Sequence, residues 1–229
     1  MTPSYPRARY RPRPGAAPGY RGGVQPPPWN HNIHYHPLIM RAVPPGTECA
    51  LDVGCGAGLL ARELRQQVPH VTAIDRDAPV LASARQQDGG AGIEYLHGDF
   101  LAWDFGPEPF DLIVSVAALH HMDQAAALTR MRDLLRPGGA LAVVGLARSG
   151  AADLPVDLAA VPVNLALRVR HRDWPQARRA RGEVMAPVIW PPPHTYREVR
   201  QLAADLLPGV CYRRRLLWRY SLIWRKPAG

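Results

Sequence analysis

Cysteine, lysine and long apolar runs are scarce in this chain, and each shortage excludes something. The three cysteines, Cys49, Cys55 and Cys211, make no disulfide framework and no metal-binding spacing. Cys49 and Cys55, in or beside an expected buried strand and loop, read as small packed residues, the usual lot of free cysteine. Lysine occurs once, at Lys226, among 28 basic residues. The basicity is therefore an arginine bias, and by itself it argues little for a polyanionic partner. No apolar run approaches the ~20 residues a membrane helix needs. The greasiest stretch, 216–224, is short and is interrupted by Arg219. The arginines near the N-terminus have no apolar leader core behind them. A soluble, cytoplasmic protein with no membrane partner is the expectation.

What is present fits a globular α/β protein. Hydrophobic residues make up 47% and charged residues 21%, which excludes a mainly disordered or fibrous chain. A length of 229 residues suits one domain with decoration. The net charge of +9 is unevenly spread. Residues 1–46 hold six arginines and no acid, 47–148 hold eight arginines against thirteen acids, and 149–229 hold fourteen bases against six acids. The excess sits at the two ends, around an acidic middle.

Residues 1–28 are rich in Pro, Gly and Arg and bury too little apolar surface to offset their chain entropy. They read as a disordered tail. Residues 29–46 begin with a cluster of aromatics and imidazoles, Trp29 to His36, and continue as a short helix closed by Pro44-Pro45-Gly46. From Ala50, strands at 50–53, 71–74, 93–96, 110–116 and 140–144 alternate with helices at 59–68, 79–87 and 124–135. Asp77 and Asp123 stand where helix caps belong. This rhythm predicts βαβ units and a parallel sheet. Residues 149–194 break it, with a helix expected over 157–169 and an arginine-rich stretch over 170–181. A helix over 196–206 and two strands in a hairpin over 211–225 close the chain.

Gly54-x-Gly56-x-Gly58 follows the first strand and opens a helix. Glycine there lets the backbone turn sharply and a ligand approach the main chain. A dinucleotide fingerprint would need a further glycine where Leu59 stands, which argues against a nicotinamide cofactor. Asp75 ends the second strand, 21 residues after Gly54, where a carboxylate can accept both hydroxyls of a ribose. Gly98-Asp99-Phe100 follows the third strand, an acid and an apolar face suited to an adenine. Three acids, Asp52, Asp75 and Asp99, thus stand at the carboxyl ends of three consecutive strands. They converge where open α/β sheets bind ligands.

With these residues the sequence resembles the class I S-adenosylmethionine (SAM)-dependent methyltransferases. Leu51-Asp52-Val53-Gly54-Cys55-Gly56-Ala57-Gly58 looks like their first motif, and Asp75 and Asp99 match their ribose and adenine acids. Residues 110–115 resemble their fourth strand, and 135–141 the turn before the fifth. The likeness covers about 30–148 and 195–226. It implies a Rossmann-like, seven-stranded, mostly parallel sheet with helices on both faces and a C-terminal antiparallel hairpin. Composition, rhythm and resemblance together divide the chain into a disordered tail (1–28), a lid segment (29–46), a SAM-binding core (47–148), a variable substrate cap (149–194) and a closing helix and hairpin (195–229). It implies SAM as cofactor, held by Asp52, Gly54, Gly56, Gly58, Asp75, Arg76, Asp99, Phe100 and Ser115.

The resemblance also places the loop after the fourth strand beside the transferable methyl. Its His120 and His121 are candidate general bases, with His121 preferred. His34 and Tyr35 on the lid are the alternative, and Trp190 is a candidate wall of the acceptor pocket. No acid or cysteine completes a metal site with His31, His34 and His36, so no metal is expected. The tetrapeptides and the Pro-Cys pair that mark nucleic-acid methylation are missing, and no separate RNA-binding module is recognisable. A small organic acceptor, in specialised metabolism, is the expected substrate. The alternatives are a tRNA or rRNA methyltransferase using the basic ends, and a catalytically silent SAM-binding protein.

Overall fold

A computed structural model describes residues 29–107, 109–171 and 190–228. Seven strands form one sheet: β1 (Cys49–Val53), β2 (His70–Asp75), β3 (Glu94–His97), β4 (Phe110–Val116), β5 (Leu135–Gly145), β6 (Cys211–Arg215) and β7 (Arg219–Arg225). Their order is β3-β2-β1-β4-β5-β7-β6. The first five run parallel, and β7 pairs antiparallel with both β5 and β6. The strand order reverses between β1 and β4, the crevice where such sheets take ligands.

Alternation along the strands feeds two cores. Leu51, Ile113, Leu141 and Val143 face one side, under helices α4 (Gln124–Leu134) and α6 (Tyr196–Leu206). Ala50, Leu112, Val114 and Ala142 face the other, under α1 (His36–Met40) and α2 (Leu59–Leu64). Helices on both faces are what a parallel sheet requires, since neither face can meet water. Asp77 caps α3 (Ala78–Gln87) by accepting from the Val80 amide at 3.0 Å. Asp123 caps α4 through the Ala126 amide at 2.9 Å. Thr195 and Glu198 form a capping box on α6.

Helix α5 (Leu154–Arg170) spans the region expected to be helical at 157–169 and runs through Pro162. Its Asn164 Oδ1 accepts a hydrogen bond from His31 Nε2 at 2.8 Å, and His171 stacks on Trp29. The helix and its C-terminal cap therefore tie Trp29 and His31 to the body. The expected tail 1–28 lies outside the described residues, as does the arginine-rich stretch beyond His171.

Candidate functional site

A cavity of about 680 Å³ opens at the carboxyl ends of β1, β2 and β4. Its floor is the glycine loop. Gly54 has φ +71°, and a Cβ there would stand 2.2 Å from the Ala118 Cβ. Only glycine lets the loops after β1 and β4 pack so closely. Gly56 has φ +53°, and a Cβ there would meet nothing within 4 Å, which leaves its backbone open to a ligand. Gly58 is different: it starts α2 in the left-handed conformation beneath Tyr95 and is not on the cavity wall.

Asp52 is 1% exposed, and its Oδ2 has no hydrogen-bond partner. Burial, and then the neighbouring Asp75, push its pKa up to about 7. An orphaned carboxylate on a cavity wall fits a cationic group. Asp75 Oδ2 accepts from the Gly56 amide at 2.8 Å, and its Oδ1 accepts from the Asp77 amide at 2.9 Å. Each oxygen retains a lone pair, so the carboxylate can still accept two hydroxyls. Arg76, Asp99 and Phe100 share this wall. Asp99 is tied to the Leu101 amide at 2.9 Å, and Phe100 is 3% exposed. Ser115 is not on the wall: it is fully buried and donates to the Val53 carbonyl at 2.9 Å, joining β4 to β1.

The loop after β4 turns at Ala117, a non-glycine residue at φ +56°. That strain is held by its amide, which donates to the Val144 carbonyl at 2.7 Å. The turn delivers both histidines to the cavity, their rings 4.0 Å apart. His120 is 5% exposed with an unpartnered Nδ1. Burial, then His121 and Arg219, lower its pKa to about 4. His121 is half-buried, and its pKa is lowered by burial and by Arg76 against an opposing pull from Asp75. Both imidazoles are neutral at pH 7 and free to accept a proton.

The lid candidates lie elsewhere. His34 is exposed, and Tyr35 is buried with its hydroxyl donating to the Leu216 carbonyl at 2.6 Å. Neither is on the cavity wall, because the turn at Ile33–Tyr35 sends them outward and into the core. Asn30, Asn32, Ile33 and His36 reach the cavity instead. His36 pairs with Glu63 at 2.9 Å. Among the described residues no three metal-ligating side chains converge. Trp190 is 69% exposed and also lies off the wall. Sequence reasoning missed Asn32 and Arg219, which meet at the far end of the cavity. The one available signal was a lone charge inside the apolar stretch 216–224.

A family profile described as a methyltransferase domain matches residues 50–139. An uncharacterised methyltransferase of Mycobacterium tuberculosis (strain ATCC 25618 / H37Rv) is 44% identical over 202 residues, 87% of this chain and 98% of that protein. A ubiquinone biosynthesis O-methyltransferase of Xylella fastidiosa (strain 9a5c) is 39% identical over 120 residues, 50% of this chain and 48% of that enzyme. The N-methyltransferase NodS from Bradyrhizobium japonicum WM9, solved with S-adenosyl-L-homocysteine, shares the fold at 18% identity and a TM-score of 0.55. That match covers 85% of this chain and 87% of NodS.

Proposed function

The chain belongs to the class I SAM-dependent methyltransferase family, and we propose that it methylates a small organic acceptor. The observation that carries this reading is the size and lining of the cavity. Its roughly 680 Å³ is the size of a small-molecule site, and Asn32, Ile33, His36, His121, Leu146 and Arg219 line it beside the cofactor motifs. The arginine run of β6 also argues against a nucleic-acid surface. Arg214 is turned inward, paired with Asp153 and Asp157 and laid 3.6 Å over the Tyr196 ring.

When bound, SAM supplies a methyl group on a positively charged sulfonium. Asp52 would hold its amino group, Gly54 and Gly56 the methionine backbone, Asp75 the ribose and Asp99 with Phe100 the adenine. Arg76 borders the same wall. Placement of the acceptor against that methyl supplies much of the rate. His121 is the proposed general base, taking a proton from the acceptor's nucleophilic atom. His120, with a pKa near 4, is the weaker base at neutral pH and serves as a neutral wall. The test is SAM turnover with a metabolite extract, set beside a purified RNA pool. A gain of ~14 Da in an extract component, with none in RNA nucleosides, supports the reading. The reverse would make the chain an RNA methyltransferase. SAM binding with neither product would leave a silent binding protein.

A further inference from the structure

Arg219 is 8% exposed, lies at the first position of β7 and lines the cavity. Its described partners are all neutral. Nε and Nη2 donate to Asn32 Oδ1 at 3.2 and 2.8 Å, and Nη1 donates to the carbonyls of Leu217 and Trp218 at 3.1 and 3.2 Å. No carboxylate among the described residues pairs with it. These bonds leave one Nη2 proton unassigned, since a guanidinium has five. A buried cation held only by neutral oxygens carries a desolvation cost that an anion offsets. Burial accordingly lowers the Arg219 pKa, to about 10.

The strand order separates this charge from the cofactor acids. Asp52 lies one residue before the end of β1, Asp75 ends β2 and Asp99 follows β3, whereas Arg219 lies on β7, beyond β4 and β5. Three strand spacings put β7 roughly 14 Å from β1. The cavity is thus acidic where the cofactor acids stand and cationic at its other end. Resting on the reading of a small acceptor, we propose that the acceptor carries an oxyanion, a carboxylate or a phosphate monoester, and that Arg219 binds it. Asn32 orients the guanidinium by accepting from two of its nitrogens, and Arg219 selects acidic acceptors over their neutral counterparts.

The protein loaded with S-adenosyl-L-homocysteine is titrated by calorimetry with benzoate, phenyl phosphate and benzamide. One or both anions should bind at least ~10-fold more tightly than benzamide, and salt should weaken them. The tighter anion identifies the carboxylate or the phosphate. Arg219→Gln should lose roughly ten- to a hundred-fold in anion affinity while its affinity for S-adenosyl-L-homocysteine is unchanged. Arg219→Lys should keep part of the preference, because it keeps the charge without the fork. If Arg219→Gln fails to fold, the wild-type titration, its salt series and the lysine variant decide. Equal binding of anion and amide, or no anion binding, overturns the proposal. So does an Arg219→Gln variant that loses S-adenosyl-L-homocysteine as strongly as benzoate, which would make Arg219 a cofactor contact. The small-acceptor reading fails separately, if RNA rather than extract is methylated.

Discussion

At the cofactor end of the cavity the wall comes from residues 52–101, three consecutive strand ends and their loops. At the proposed acceptor end, Asn32 meets Arg219 across 187 residues. The first end is built from short motifs in which the backbone does the positioning. The second is built from side chains that only the finished fold brings together. A methyltransferase can therefore keep its cofactor half while the acceptor half is redrawn by changes scattered along the chain.

The largest test of this contrast is His121→Ala. A positioned general base contributes roughly 10²–10⁴-fold, so kcat should fall by about that factor while SAM affinity stays near wild type. Because the imidazole pKa lies below 6.5, the acid limb of the rate profile should fall below pH 6.5. A near wild-type rate would move the chemistry to placement alone, and the profile would then follow the acceptor's own pKa.

Next comes Asp75→Ala, which removes a charged acceptor at the cofactor end. Calorimetry should show SAM binding weakened about ten- to a hundred-fold. Acceptor affinity of the cofactor-saturated variant should change little. Unchanged SAM affinity would take Asp75 out of the site.

A smaller effect is expected from pH. Asp52 holds a cation only when charged, and its pKa is raised to about 7. SAM affinity should fall roughly ten-fold from pH 8 to pH 6, and Asp52→Asn should flatten that dependence. The sign for ligand-free stability is opposite. Burial favours the neutral carboxyl, so Asp52 stabilises below its ordinary value of 3.8, and this contribution is lost as pH rises towards about 7. A thermal melt series of wild type against Asp52→Asn reads it directly.

The smallest effect belongs to Trp190→Ala. Its exposed ring stands off the cavity, so acceptor KM and SAM affinity should both stay within about two-fold, in line with a surface change of ~0.5 kcal/mol or less. A selective rise in acceptor KM would return Trp190 to the acceptor end.

The same contrast explains what was legible in the sequence. The strand and helix rhythm from Ala50 onward could be read because most elements carry their own periodicity, and two of the helices a side-chain cap at Asp77 and Asp123. The glycine loop could be read because positive φ at Gly54 and Gly56 admits few other residues. Ser115 entered the cofactor set through the family resemblance, and what the sequence does not tell is that its hydroxyl serves the sheet by donating to the Val53 carbonyl. His34 and Tyr35 looked like a mouth because they sit in an aromatic cluster. The direction each side chain takes there depends on a turn of three residues that composition does not determine. Arg219 had no local pattern at all, since its meaning lies in a partner at the other end of the chain.

The bond between Asn32 and Arg219 has a further consequence for how the molecule assembles. Closing a loop of 187 residues costs more chain entropy than pairing neighbouring strands. The strands that hold the cofactor acids are separated by much shorter stretches. During refolding from denaturant, binding of S-adenosyl-L-homocysteine should return before binding of the acceptor. A chain caught between those two moments would hold the methyl donor while its second pocket was still unformed.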